Sequence, residues 1–339
     1  MIKVLISLLF LLFLNIKDIK SNNKLFKNFF KKVEIINLQQ NREIQLSSIV
    51  KLRIDESDNI WIIDARNRNI KKFDKKGNLT DSFGRRGKGP EEFEFPIGIY
   101  VDKNYVYVCD LGLRVVKKFN RNNKKLIRSF YIGSCRDIKV NSKNEIFIAG
   151  FHYIKEKEGF FIRKFNHNGI LINSFLSPNE KFYKLNMRLA DAFFDFDKEE
   201  NIFAALAITY EIYKFNADGK LQNVIKNPNS KYIFPPDKLP EYSRFPSIMR
   251  EWYKKWSYID NILVLKNKIL IISFILYDKR KYSIDIFDKD GKLIAQNILT
   301  SHRLMSKDTE DNLYFHSNQF SNRDERKYEI GKYKILLKK

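Results

Sequence analysis

Cysteine is almost absent: Cys109 and Cys135 are the only two in 339 residues. No disulfide framework can therefore organise the fold, and no CxxC or Cys/His spacing offers a zinc site. Both cysteines sit in or beside apolar strand patterns, YVYVCD and GSCRDIKV. The expected state is two buried free thiols acting as small hydrophobes, with a disulfide as the alternative in an oxidising compartment. Histidine is equally scarce: His152, His167, His302 and His316 include no pair with the spacing of an HExxH metal site, so no metal and no cofactor is expected. There is no GxSxG elbow, and no acid/base pair stands out among 40 Asp and Glu residues. Acids are also in deficit, 40 against 63 Lys and Arg, for a net charge of +23. Such a field favours anionic partners.

Long apolar runs are missing but for one at the N-terminus. Val4 to Leu14, interrupted only by Ser7 and preceded by Lys3, has the length of a signal-peptide core and not of a spanning helix. Residues 1–20 are read as a signal peptide or N-terminal membrane anchor, and the chain as exported: periplasmic, secreted or bound to the cell envelope. No cysteine lies near the run, which excludes a lipid-modified N-terminal cysteine. Residues 1–20 carry Lys3, Lys17 and Lys20 against Asp18, so their removal lowers the charge by only 2.

What is present is a repeat. An aromatic strand end followed by a polar turn recurs at Phe73 (FDKKGNL), Phe119 (FNRNNKKL), Phe165 (FNHNGIL), Phe215 (FNADGKL) and Phe287 (FDKDGKL), at intervals of 46, 46, 50 and 72 residues. A period in this range carried by short strands indicates propeller blades. After each strand, Asp or Asn can bond its own backbone two residues on, and Gly77, Gly169, Gly219 and Gly291 can take positive φ. In the second repeat Asn123 stands as the replacement for glycine. Asp74, Asp218, Asp288 and Asp290 lack the terminal bidentate glutamate of a calcium loop and are assigned to turn chemistry.

Alternating apolar runs place four strands in each unit. The expected fold is all-β: a six-bladed β-propeller of four-stranded antiparallel blades over 31–339, with blades near 50–83, 97–130, 135–175, 190–225, 258–298 and 302–339. The last unit has three strands, and VEIINL at 33–38 is expected to supply its outer strand and close the ring.

One stretch, FGRRGKGPEEFEFPIGIYVDKNYVYVCDLGLRVVKKF from Phe83 to Phe119, carries Phe83, Gly84, Gly87, Gly89, Pro90, Phe93, Pro96, Val101, Asp102, Val108, Asp110, Arg114 and Phe119 in a characteristic order. It resembles the NHL repeat, a six-bladed propeller family. The resemblance implies that fold and a choice among ligand-binding modules, nucleic-acid-binding domains and a few lyases that bind metal through channel histidines. Here only His152, His302 and His316 could meet at an axis. GRRGKG is followed by Pro90 and two glutamates where a phosphate-binding P-loop needs Ser or Thr, and is read as a connector.

In a meander running outward from the channel, second-to-third strand loops and blade connectors share one face. That face collects the candidate ligand-binding residues Arg66, Arg68, Arg85, Arg86, Lys88, Arg114, His152 and Arg280, with Asp64 and Asp110 beside them. The longest connector, a lid-like insertion at 226–257, adds Arg250, Trp252, Tyr253 and Trp256. Ile248, Trp252 and Trp256, spaced by four, are expected along one side of a short helix. The functional expectation is an exported binding propeller whose basic, aromatic face over the channel takes an anionic glycan, peptide or protein. A metal-dependent lyase or hydrolase and a nucleic-acid-binding module are the alternatives. Export argues against nucleic acid, and a membrane enters only through an uncleaved N-terminal segment.

Overall fold

The computed structural model describes residues 24–39, 46–155, 158–185, 191–227, 230–267, 269–276, 281–317 and 328–337. Six separate four-stranded antiparallel sheets form the six blades. Blade 1 comprises Ile49–Ile54, Ile60–Asp64, Asn69–Phe73 and Leu79–Phe83, and blade 2 comprises Pro96–Val101, Tyr105–Asp110, Val115–Asn120 and Leu126–Tyr131. Blade 3 holds Asp137–Val140, Ile146–Lys155, Glu158–Phe165 and Leu171–Phe175; blade 4 holds Ala192–Phe196, Ile202–Leu206, Glu211–Phe215 and Leu221–Lys226. Blade 5 is built from Ser257–Val264, Ile269–Leu276, Lys281–Asp288 and Leu293–Thr300. Each blade's first strand touches the first strands of both neighbouring blades, so the ring is closed around a central channel.

Closure is achieved as the strand count demanded. Blade 6 runs Arg303–Lys307, Leu313–Ser317, Glu329–Ile335, and its outer strand is Phe30–Asn37 from the N-terminal end. That strand pairs antiparallel with Glu329–Ile335 from Phe30 opposite Ile335 to Asn37 opposite Glu329. A helical segment at 24–29 precedes it, and the Phe26 and Phe30 rings lie 5.6 and 5.7 Å from Phe315. The apolar leader at 1–20 lies outside the described residues.

The repeated phenylalanines are core residues: Phe73, Phe119, Phe165, Phe215 and Phe287 are all buried between blades, each worth about 1.5–3 kcal/mol of apolar burial. The Asx residue after each strand holds its turn. Asp74 accepts the backbone N–H groups of Lys76 (2.8 Å) and Asn78 (2.9 Å), and Asp288 those of Asp290 and Lys292. A second row of such turns, between first and second strands, uses Asp55, Asp102, Asn141, Asp197 and Asp308.

The turn glycines also join blade to blade. A Cβ on Gly77 (φ +90°) would lie 2.2 Å from the carbonyl oxygen of Asn37 in the closing strand. On Gly219 (φ +86°) it would lie 2.6 Å from the Phe175 ring of the preceding blade. In blade 2 the positive φ falls on Lys124 (φ 61°), one residue beyond the Asn123 expected to replace glycine. There the joint is an ion pair instead, Lys124 Nζ to Asp81 of blade 1 at 2.6 Å. A side chain with a terminal charge can reach across where glycine elsewhere permits close approach.

The cysteines depart from expectation: Cys109 and Cys135 form a disulfide, with Cα atoms 6.2 Å apart. Cys109 is in the second strand of blade 2, while Cys135 enters blade 3, and both pack in one apolar cluster between the two blades. Their strand patterns described apolar surroundings correctly, but the pairing depends on two facing blades.

Candidate functional site

Asp64 and Asp110 are not members of a charged rim. Both are fully buried at the ends of second strands, where they pin the connectors that lead into their blades. Asp64 accepts the N–H groups of Ser47 and Ser48 at 3.0 Å each; Asp110 accepts those of Glu94 (2.8 Å) and Phe95 (2.9 Å). These bonds set the height at which the inner strands begin, and hence the shape of the channel mouth.

At that mouth lies a cavity of about 430 Å³, lined by Lys51, Arg136, Asp191, Tyr253, Asp260 and Arg303 together with apolar residues such as Phe193 and Tyr258. Two ion pairs stand in its wall. Arg303 binds Asp260 through two parallel contacts of 2.8 Å, and Arg136 Nε binds Asp191. Bidentate guanidinium pairing of this kind fixes both groups geometrically. Tyr253 arrives from the long connector, with its ring 6.2 Å from that of Tyr258. Paired charges beside aromatic rings offer donors, acceptors and a stacking face to a ligand entering the axis.

Below the cavity the channel is packed with charge. Asp137 accepts from Arg53 at 2.6 Å and from Lys51 at 3.1 Å; Asp195 pairs with Lys139 at 3.1 Å and with Lys307 at 3.0 Å. Burial pushes the Lys51 ammonium down to about 7; Asp137 opposes this, while Arg53 and Lys139 add to it. Burial would raise Asp195, but Lys139 and Lys307 hold its carboxyl well below the usual range.

Eleven of the twelve residues selected from the sequence are described, and these are distributed over the connector face without forming one pocket. Among those described, Tyr253 alone lines the axial cavity. Arg85 is exposed and pairs with Glu92 at 2.9 Å, Lys88 approaches Glu94 at 4.0 Å, and Arg86 bridges to Phe93. Arg85 lines a separate hollow of about 630 Å³ at the rim, formed by residues 82–85 and 89–92. Arg66 and Arg114 are exposed and Arg68 half-buried. His152 is half-buried with its ring 6.3 Å from Tyr131, and burial lowers its pKa, helped by Arg163 and Arg114. Arg280 lies outside the described residues.

In the long connector, helix Pro246–Tyr253 exposes Arg250 and buries Met249 and Trp252. Both join the cluster that also contains Phe161, Phe182 and Phe194 from the blade 3 and blade 4 region. Trp256 falls beyond the helix, so the expected stripe through Ile248 is not formed. Its ring packs 6.1 Å from Trp252 because the chain turns immediately after Tyr253. Among the described residues, every exposed aromatic side chain lies on a connector or the strand end leading into one: Phe95, Tyr131, Phe234, Tyr242 and Phe245.

His152 belongs to blade 3, whereas His302 and His316 lie at the start and in the second strand of blade 6. Among the described residues no three His, Cys, Asp or Glu side chains gather where they could hold a metal ion. No helix among them is long and apolar enough to cross a membrane.

Six blades, an axial cavity and a family profile described as a 6-bladed beta-propeller, which matches residues 13–309, agree with one another. The chain belongs to this family, DUF5128. The six-bladed fold that the NHL resemblance implied is present, and the family assignment itself rests on this longer match. No curated protein is similar to this DUF5128 member in sequence. Among solved structures it is similar to a candidate exported protein of Bacteroides fragilis, at 13% identity and a TM-score of 0.65 over 91% of this chain and 96% of that one. It is likewise similar to a DUF4221-family protein of Bacteroides vulgatus, at 11% identity and a TM-score of 0.66 over 91% and 99%. A catalytically inactive virginiamycin B lyase from Staphylococcus aureus, solved with quinupristin, matches at 13% identity and a TM-score of 0.54 over 88% and 83%. At these identities the likeness is one of fold and carries no activity across.

The channel residues Lys51, Arg53, Arg136, Asp137, Lys139, Asp191, Asp195, Asp260, Arg303 and Lys307 escaped sequence reasoning, which looked for function in loops. For two pairs the signal was charge at alternate positions of an inner strand, Lys51 and Arg53 of IVKLRID and Asp137 and Lys139 of CRDIKV. Such residues share one side of a strand, and their number in otherwise apolar strands is what marks them.

Proposed function

We propose that this protein is an exported binding propeller that takes its ligand at the channel mouth, in the cavity walled by the Arg136–Asp191 and Arg303–Asp260 pairs and closed at one side by Tyr253. The carrying observation is that cavity: it lies on the axis, and inner strands of five blades and the long connector all contribute to it. Export is supported by the leader-like run at Val4–Leu14 and by the exported character attributed to one structural neighbour. An anionic glycan or peptide fits the excess of basic groups, and the exposed aromatics of the connectors provide stacking surface around the opening.

The test is a glycan and peptide binding screen on the mature protein, followed by variants. Tyr253→Ala and Arg303→Ala are expected to weaken the best ligand by about tenfold or more, the usual loss for a charged hydrogen bond or stacking contact. Arg85→Ala with Arg86→Ala is expected to leave binding unchanged. The reverse pattern would move the ligand to the rim hollow and refute the axial site. N-terminal sequencing of protein recovered from outside the cytoplasm tests export directly.

A further inference from the structure

The shaft below the cavity holds more positive than negative charge. Four cations, Lys51, Arg53, Lys139 and Lys307, share two carboxylates, Asp137 and Asp195, and among the described residues no third carboxylate forms an ion pair with any of the four. The groups above do not correct the imbalance, because Arg136 and Arg303 are each matched by their own aspartate. At the opposite end the field of Asp311 reaches Lys307, and Arg121 is met by Asp55 and Glu56. The upper shaft thus keeps its surplus: Arg53 already neutralises Asp137, leaving Lys51 beside a carboxylate that is not its own.

Uncompensated buried charge is costly, and there are two ways to relieve it: loss of a proton or arrival of an anion. Lys51 is the member of the shaft that lines the cavity, so an anion entering from the mouth meets it first. We propose that the cavity recognises its ligand through an oxyanion group, a carboxylate, sulfate or phosphate, seated against Lys51 with Arg136 and Arg303 on the surrounding wall. This inference rests on the axial cavity being the ligand site. It narrows that site to ligands that end in, or carry, a negative oxygen group.

Lys51 faces Asp137, Arg53 and Lys139 in the shaft and Arg136, Asp191, Asp260 and Arg303 around the cavity. With its ammonium lowered to about 7, seating an anion draws a proton onto Lys51, and by linkage the anion binds more tightly as pH falls through neutrality.

Inorganic sulfate is the probe, titrated against thermal stability at pH 6 and pH 8 with ionic strength held by sodium chloride. The expected result is a saturable rise in the melting midpoint, with apparent affinity about tenfold higher at pH 6. Lys51→Met should abolish the saturable response, and Lys51→Arg should retain it while losing its pH dependence. Should Lys51→Met fail to fold, the behaviour of Lys51→Arg decides: an unchanged pH dependence overturns the role of Lys51. An equal response in wild type and Lys51→Met places sulfate on surface cations and also overturns it, as does the absence of a saturable response at both pH values. A neutral oligosaccharide that binds in a Tyr253-dependent manner and is indifferent to Lys51→Met would overturn the oxyanion requirement while leaving the axial site standing.

Discussion

Replacing Gly77 with alanine should loosen the whole ring, although the residue is in a surface turn. Two penalties act together. Gly77 holds φ at +90°, where an L-residue loses about 1–2 kcal/mol. Its added Cβ would also sit 2.2 Å from the backbone oxygen of Asn37 and 2.9 Å from the carbon behind it. That neighbour is main chain, so no side-chain rotation relieves the clash, and overpacking of this type costs about 1–3 kcal/mol. Gln39 N–H also donates to the Gly77 carbonyl at 2.8 Å, so any shift of the turn strains the segment that leads out of the closing strand. The expected loss is about 2–5 kcal/mol, which in a domain of this size lowers the melting midpoint by about 3–8 °C. The assay is thermal unfolding followed by circular dichroism, with Gly89→Ala as comparison. There the nearest atom is the end of the flexible Glu92 side chain at 3.0 Å. Equal midpoints for Gly77→Ala and wild type would refute the argument that the turn glycine is an inter-blade joint.

Two further outcomes follow from buried groups. Reducing the Cys109–Cys135 bridge, which spans 26 residues, should cost about 3–4 kcal/mol by the loop-entropy relation; thiol counting on the unfolded, unreduced chain should find no free thiol, and two would disprove the bridge. His316 is buried with its ring stacked on Tyr328. Burial pushes its pKa down to about 4 from an ordinary 6.5, with Arg303 and His302 adding to the shift. Between those values the unfolded chain takes up a proton that the folded one refuses, so His316 contributes stability above about pH 6.5 that is lost as pH falls toward 4, at most about 3 kcal/mol. His316→Phe should flatten that part of the acid-stability curve, and an unchanged slope in chemical denaturation at pH 4.5 and 7 would rule the histidine out as its cause.

Much of the frame was legible because it repeats. The Phe-Asx units, four of them with a turn glycine, mark the end of the third strand in five blades, and the strand deficit of the last unit pointed to VEIINL, which the structure places in blade 6. Local chemistry explains this success: Asx turns and strand ends are decided within a few residues of chain. The Asp110 of blade 2 shows where such reading stops. Its place at a strand end suggested an exposed loop acid, yet four backbone N–H groups converge on it and remove it from the surface. Two of those groups come from a connector 15 and 16 residues upstream.

By itself, the sequence determined six blades, their antiparallel order and the strand that closes the ring, because short-range periodicity and turn residues act along the chain. Only the tertiary structure decided that Cys109 meets Cys135, that Arg303 meets Asp260, and that the cations of three inner strands face two carboxylates in one shaft. Those meetings join residues from different blades, and their energies depend on distance and burial across the channel, quantities that no interval along the chain contains.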